Sequence, residues 1–249
     1  MLISWDKENS KIKNKNWLTK ILLISTIIII MFVNIKIFIV QVLLDNYITP
    51  QMSFEERYNI YEKCNNMLPY NRVCKENIIR LIEAYENDYP DKKIEYSKKV
   101  LEYTKDLLKF EKYYNRFNMQ TRLVIRSIDL FETENIDDMI KNIEDGFYLI
   151  KNYKIRDQEY INLCLRVNTK NIQIGDKLLN EYIKMENLLQ REKIKELAKK
   201  FYKLNIDKYE EDKKVFENKL KNASDKEKDL LFEMLLNYKE DALKKIGEN

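Results

Sequence analysis

The side chains able to do chemistry in this 249-residue chain are carboxylates, lysines, tyrosines and three cysteines, for there is no histidine. That absence removes the Ser-His-Asp and Cys-His arrangements, the HExxH zinc helix, histidine metal ligands and the Glu-x-x-His di-iron motif. Glycine stands only at 146, 175 and 247, which rules out a phosphate loop and a dinucleotide fingerprint. Paired carboxylates remain, as Asp137 with Asp138 and as Glu210, Glu211 and Asp212. Such pairs do acid-base work when one member is buried with a raised pKa. Neighbours in a helix point in different directions, however, and Asp137 and Asp138 sit in a first helical turn, where acids stabilise the dipole. The sequence therefore predicts no catalytic residue, no metal ligand and no cofactor: the protein is not expected to be an enzyme.

The cysteines call for a redox argument. Cys64 and Cys74 lie five residues either side of Pro69, where a helical hairpin would bring its two arms together. In an oxidising compartment they could form a disulfide, worth about 2 to 3 kcal/mol for so short a loop. The alternative is a pair of small buried apolar residues. Cys164, inside "YINLCLRV", reads as core.

Tyrosine and phenylalanine are abundant, at 17 and 10 residues. Most must line a core, yet Tyr113, Tyr114 and Phe117 close one helix among charged neighbours. At least one of these rings is expected to face outward and to anchor a protein partner, since tyrosine combines apolar area with a polar tip.

The element that places all of this is the segment "ILLISTIIIIMFVNIKIFIVQVLL", Ile21 to Leu44. Its uncharged part, Ile21 to Ile35, has 15 residues and reaches only about 22 Å, short of a hydrocarbon core of about 30 Å. Continuing through Lys36 to Leu44 gives 24 residues and about 36 Å. Asn34 and Gln41 fall on one side of that helix and Lys36 on the other, so there is no single polar face of the kind a surface helix needs. A spanning helix with Lys36 snorkelling is expected. No small-x-small cleavage site follows, which predicts an uncleaved signal anchor. Five lysines at 7, 11, 13, 15 and 20 precede the segment, against a lone Arg57 in the eighteen residues after it. The positive-inside rule then leaves the N-terminus in the cytoplasm and the rest of the chain outside it.

Of 45 basic and 41 acidic residues, the first 44 positions hold six and two, which leaves 39 of each sign in residues 45–249. The balance offers no footprint for nucleic acid. Even "REKIKELAKKFYK" is followed by the acidic "DKYEED", as a solvated helix face would be.

Beyond the anchor the period is helical throughout. Ser53 with Glu56 makes a capping box, and Pro69 and Pro90 stop the first two helices. A third is expected over 91–117 and a fourth over 121–131. Ile136, Ile140, Ile143, Phe147 and Ile150 then form a seam of alternating fours and threes. Further helices are expected over 157–167 and from Asn171 through Leu189 and Leu204, with a break near Asn205. Ser224 and Glu227 cap the last, which ends at Gly247.

"TENI" at 133–136 and "TKNI" at 169–172 recur 36 residues apart, each read as a helix start. A period in the thirties suggests stacked hairpins. Residues 119–185 weakly resemble tetratricopeptide-type repeats, with Leu123, Ser127 and Leu130 in one helix and Ile143 and Gly146 in the next. Met139 departs from that pattern where a small residue belongs.

The expectation is an all-α chain with a single N-terminal transmembrane helix and a helical-hairpin array, either solenoid-like or an irregular bundle. Its parts are a cytoplasmic basic tail at 1–20, the anchor at 21–44, a linker at 45–52 and an extracytoplasmic helical domain at 53–249. Two roles fit it: a scaffold or adaptor for a protein partner at the cell envelope, or a structural element that self-associates as a homo-oligomer.

Overall fold

The computed structural model describes residues 2–49, 51–110, 112, 116–155 and 159–248, and side chains for these except 2–16, 47 and 248. Among the described residues there are nine α-helices and no strand. The chain is all-α, and its packing falls into two units, Met1–Tyr85 and Glu86–Asn249.

In the first unit α1, Leu2–Val42, continues into a π turn, Leu43–Tyr47. The part from Trp17 to Asn46 is long and apolar enough to cross a membrane, and only 6% of its most apolar window is buried by protein. Ser25 and Thr26 turn their hydroxyls onto the Leu22 carbonyl, at 2.9 and 2.7 Å, so these polar groups are satisfied within the helix. Next come α2, Phe54–Met67, and α3, Arg72–Tyr85. The capping box forms as expected, with the Glu56 amide donating to Ser53 Oγ at 3.2 Å and the Ser53 amide to Glu56 Oε2 at 2.8 Å. Asn71 starts α3 by accepting from the amides of Val73 and Cys74.

The second unit holds α4, Lys93–Leu108; α5, Phe117–Asp129; α6, Ile136–Lys151; α7, Tyr160–Lys184; α8, Leu188–Lys219; and α9, Asp225–Glu248. α4 packs on α5, α5 on α6, α7 on α8 and α8 on α9, and α5 with α7, α6 with α8 and α7 with α9 also touch. The seam of α6 does what its spacing implies: Ile140, Ile143 and Ile150 are buried, with Ile136 and Phe147 packed against the same core. Arg126 is buried as well, and its guanidinium is held by Glu86 at 2.8 Å and Asp129 at 3.4 Å.

Several boundaries differ from the sequence expectation, and the helix expected over 91–117 ends at Leu108, so that Phe117 opens α5 rather than closing the helix before it. The helix expected over 157–167 and the one from Asn171 are a single helix, α7, so the second "TxNI" lies mid-helix: Thr169 bonds the Leu165 carbonyl and Asn171 reaches Asn205 on α8. The break comes at Met185–Asn187, not at Asn205, because Asn187 accepts from the amides of Leu189 and Gln190 and so starts α8. The last helix continues past Gly247 to Glu248.

Two glycines set helix approach. A Cβ at Gly175 would lie 2.4 Å from Tyr202 Cε1, and one at Gly146 would lie 2.4 Å from Val124 Cγ2. Neither neighbour can swing away, since Tyr202 and Val124 are buried and the Tyr202 hydroxyl donates to Asp176 at 2.7 Å. Gly146→Ala and Gly175→Ala should each lower the unfolding free energy by about 1 to 3 kcal/mol. Gly247→Ala, with nothing within 4 Å of the new Cβ, should not lower it. Denaturant melts of the three variants check this, and equal stability across them would contradict the packing.

Candidate functional site

Helices α7 and α8 meet along two polar stripes. Tyr160, Cys164, Asn168 and Asn171 recur at steps of four, four and three on α7, and Asn205, Lys208 and Asp212 at three and four on α8. Those steps keep each set on one helix face. Across the interface the Asn171 amide donates to Asn205 Oδ1 at 2.8 Å, and Asn205 passes its own amide to the Asn168 carbonyl at 2.9 Å. Asn168 donates in turn to the Cys164 carbonyl at 3.0 Å, while the Tyr160 hydroxyl donates to Asp212 Oδ1 at 2.8 Å. All three asparagines and Asp212 are buried. This ladder floors a cavity of about 350 Å³ whose rim includes Tyr153, Ile155, Lys208 and Glu211.

Burial, and then the Asp212 carboxylate, push the Cys164 thiol and the Tyr160 phenol well above their ordinary ranges. Both keep their protons at neutral pH, so neither supplies a nucleophile. Among the described residues no three Cys, Asp or Glu side chains converge as metal ligands. Of the carboxylates singled out from sequence, Asp137 and Asp138 lie in the first turn of α6, and Asp212 serves the ladder.

The hairpin does bring Cys64 and Cys74 together. Both are free thiols and wholly buried, and they pack with Val40 near the end of α1, Leu43 and Leu44 of the π turn, Ile60 and Met67 of α2 and Leu68 just after it. Burial pushes the Cys74 thiol up to about 12. Cys164 is core, as its surroundings in the sequence imply.

The aromatic anchor set divides. Tyr113 and Tyr114 lie outside the described residues. Phe117 is 4% exposed, and its ring meets that of Tyr153 at a tilt with centroids 5.5 Å apart, so it serves the core and gives a partner nothing to touch. The sequence reading also runs one helix from Asn171 through Leu189, which instead lies in the first turn of α8. Leu189 is 70% exposed, beside Leu188 at 72% and Ile183 at 71% across the α7–α8 turn, a concentration of bare aliphatic surface. The signal for it was Asn187, a cap residue that resets the helical phase two positions before Leu189.

Compared with family models, curated proteins and solved structures, the chain matches none.

The raised thiols and phenols make stability fall at alkaline pH. The folded chain keeps protons on Cys74, Cys164, Tyr160 and Tyr202 that the unfolded chain releases from its ordinary 9.0 and 10.0 upward. Their contribution is complete below about pH 9 and declines above it. Unfolding free energy measured from pH 7 to 10 should be flat and then drop, with a slope in Cys164→Ala shallower by up to about 1.4 kcal/mol per pH unit. An unchanged slope in that variant would contradict the assignment.

Proposed function

We propose that the protein is a membrane-anchored helical scaffold or adaptor that works by contact with a protein partner at the cell envelope. In this reading residues 21–44 cross the bilayer, the lysine-rich N-terminus stays in the cytoplasm and the helical domain lies outside. The observation that carries the contact role is the α7–α8 turn, where Ile183, Leu188 and Leu189 are each at least 70% exposed. Three large aliphatics exposed around one helix–helix turn forgo burial worth about 1.5 to 3 kcal/mol apiece, a standing drive toward association. Tyr182 beside them carries Arg191 at 4.5 Å and Lys195 at 5.5 Å over its ring, which gives the apolar patch a cationic shoulder. Aliphatic surface with an aromatic and an arginine at its edge is the composition that protein interfaces favour.

Membrane-impermeant crosslinking on intact spheroplasts tests both halves of this reading. The wild-type chain should give a discrete adduct with a second protein, and Leu188→Lys with Leu189→Lys should lose it while the melting temperature stays within a few degrees. An adduct that forms only after lysis would overturn the orientation; one that survives the double substitution would overturn the patch.

A further inference from the structure

We infer that the stretch from Pro69 to Val73, the turn after α2 with the first two residues of α3, rests in the headgroup layer of the bilayer that α1 crosses, a second membrane contact that stands on the spanning reading of α1. The residues on either side of this stretch are fixed. Met67 and Leu68 before it and Cys74 after it belong to the cluster that also contains Val40, Leu43 and Leu44, the last apolar turn of the segment that ends at Leu44. Tyr70 is two residues from Leu68, and Val73 is next to Cys74. At no more than about 3.6 Å of chain per residue, neither can stray more than about 10 Å from that cluster. The interfacial layer is itself about 5 to 8 Å deep on each side of the hydrocarbon. A tip tied this closely to the end of a spanning helix has the membrane surface within reach.

Its side chains suit that surface. Pro69, Tyr70, Arg72 and Val73 are all exposed, Tyr70 at 87% and Val73 at 53%. A phenol with an apolar ring is enriched at headgroup level, an aliphatic side chain prefers the acyl boundary, and a guanidinium pairs with phosphate. In water the same stretch would hold a nearly bare tyrosine and a half-exposed valine, two residues and one residue from that cluster. The bilayer covers them with no partner protein needed.

Brominated-lipid quenching of the full-length chain in phosphatidylcholine vesicles tests this. Trp5 and Trp17, the two native tryptophans, are replaced by Phe. Single reporters then go in as Tyr70→Trp, Val73→Trp, Phe32→Trp within the span and Arg80→Trp on α3, the last about 9 Å along the helix from Cys74. Lipid brominated near the headgroup end of its acyl chains should quench the reporters at 70 and 73 at least about twofold more than the one at 80 and shift their emission to the blue. Quenching at 32 with positions 70 and 73 indistinguishable from 80 overturns the inference and leaves the spanning reading intact. No quenching at 32 overturns both.

Discussion

An apolar helix with almost nothing packed on it sets the condition the rest of the first unit obeys. From Ile21 to Ile39 large aliphatic and aromatic side chains point outward on every side of α1. In water each would forgo about 1.5 to 3 kcal/mol, a sum far larger than the 5 to 15 kcal/mol by which domains are stable. Hydrocarbon would remove the problem, and protein covers α1 where the apolar run ends. Among the described side chains of α1, Val40 is the first to be buried by its own chain, and what buries it is the hairpin core around Cys64 and Cys74. The handover from an unclothed helix to a packed one takes less than two turns.

The second unit solves a different problem, that of holding long helices in one register. Apolar seams tolerate sliding by a turn, whereas hydrogen-bonded polar groups do not, since a slip would leave them buried and unpaired. The bonds from Tyr160 to Asp212, Asn205 to Asn168, Asn171 to Asn205 and Tyr202 to Asp176 pin α7 and α8 at four levels. Gly175 adds a fifth constraint by admitting the Tyr202 ring. The cavity is a consequence: where the facing side chains are short asparagines and a cysteine, the helices leave room between their faces and the end of α6.

Local chemistry made much of this fold legible in the sequence. Ser53 with Glu56, Asn135 and Ser224 each cap a helix through their own next few amides, a bond that needs no tertiary partner. The α6 seam is legible for the same reason, because its spacing is a property of one helix. What escaped depends on partners remote in sequence. Asn171 resembles a cap until Asn205, 34 residues away, is seen to take its amide. Phe117 resembles a surface anchor until Tyr153 covers it. Leu189 fits a seam only if α7 and α8 share a phase, and the Asn187 cap breaks it. The α7–α8 ladder left a trace as polar residues at steps of three and four, but hydrophobic periodicity counts such residues as solvent-facing.

The claim on which the account turns is that α1 sits in hydrocarbon. Alkaline carbonate extraction of membranes from cells expressing the full-length chain measures this most directly, because carbonate strips proteins held by charge or by partners and leaves integral ones behind. The account predicts that the chain stays in the pellet through the carbonate wash and enters the supernatant only with detergent. Release by carbonate alone would contradict it.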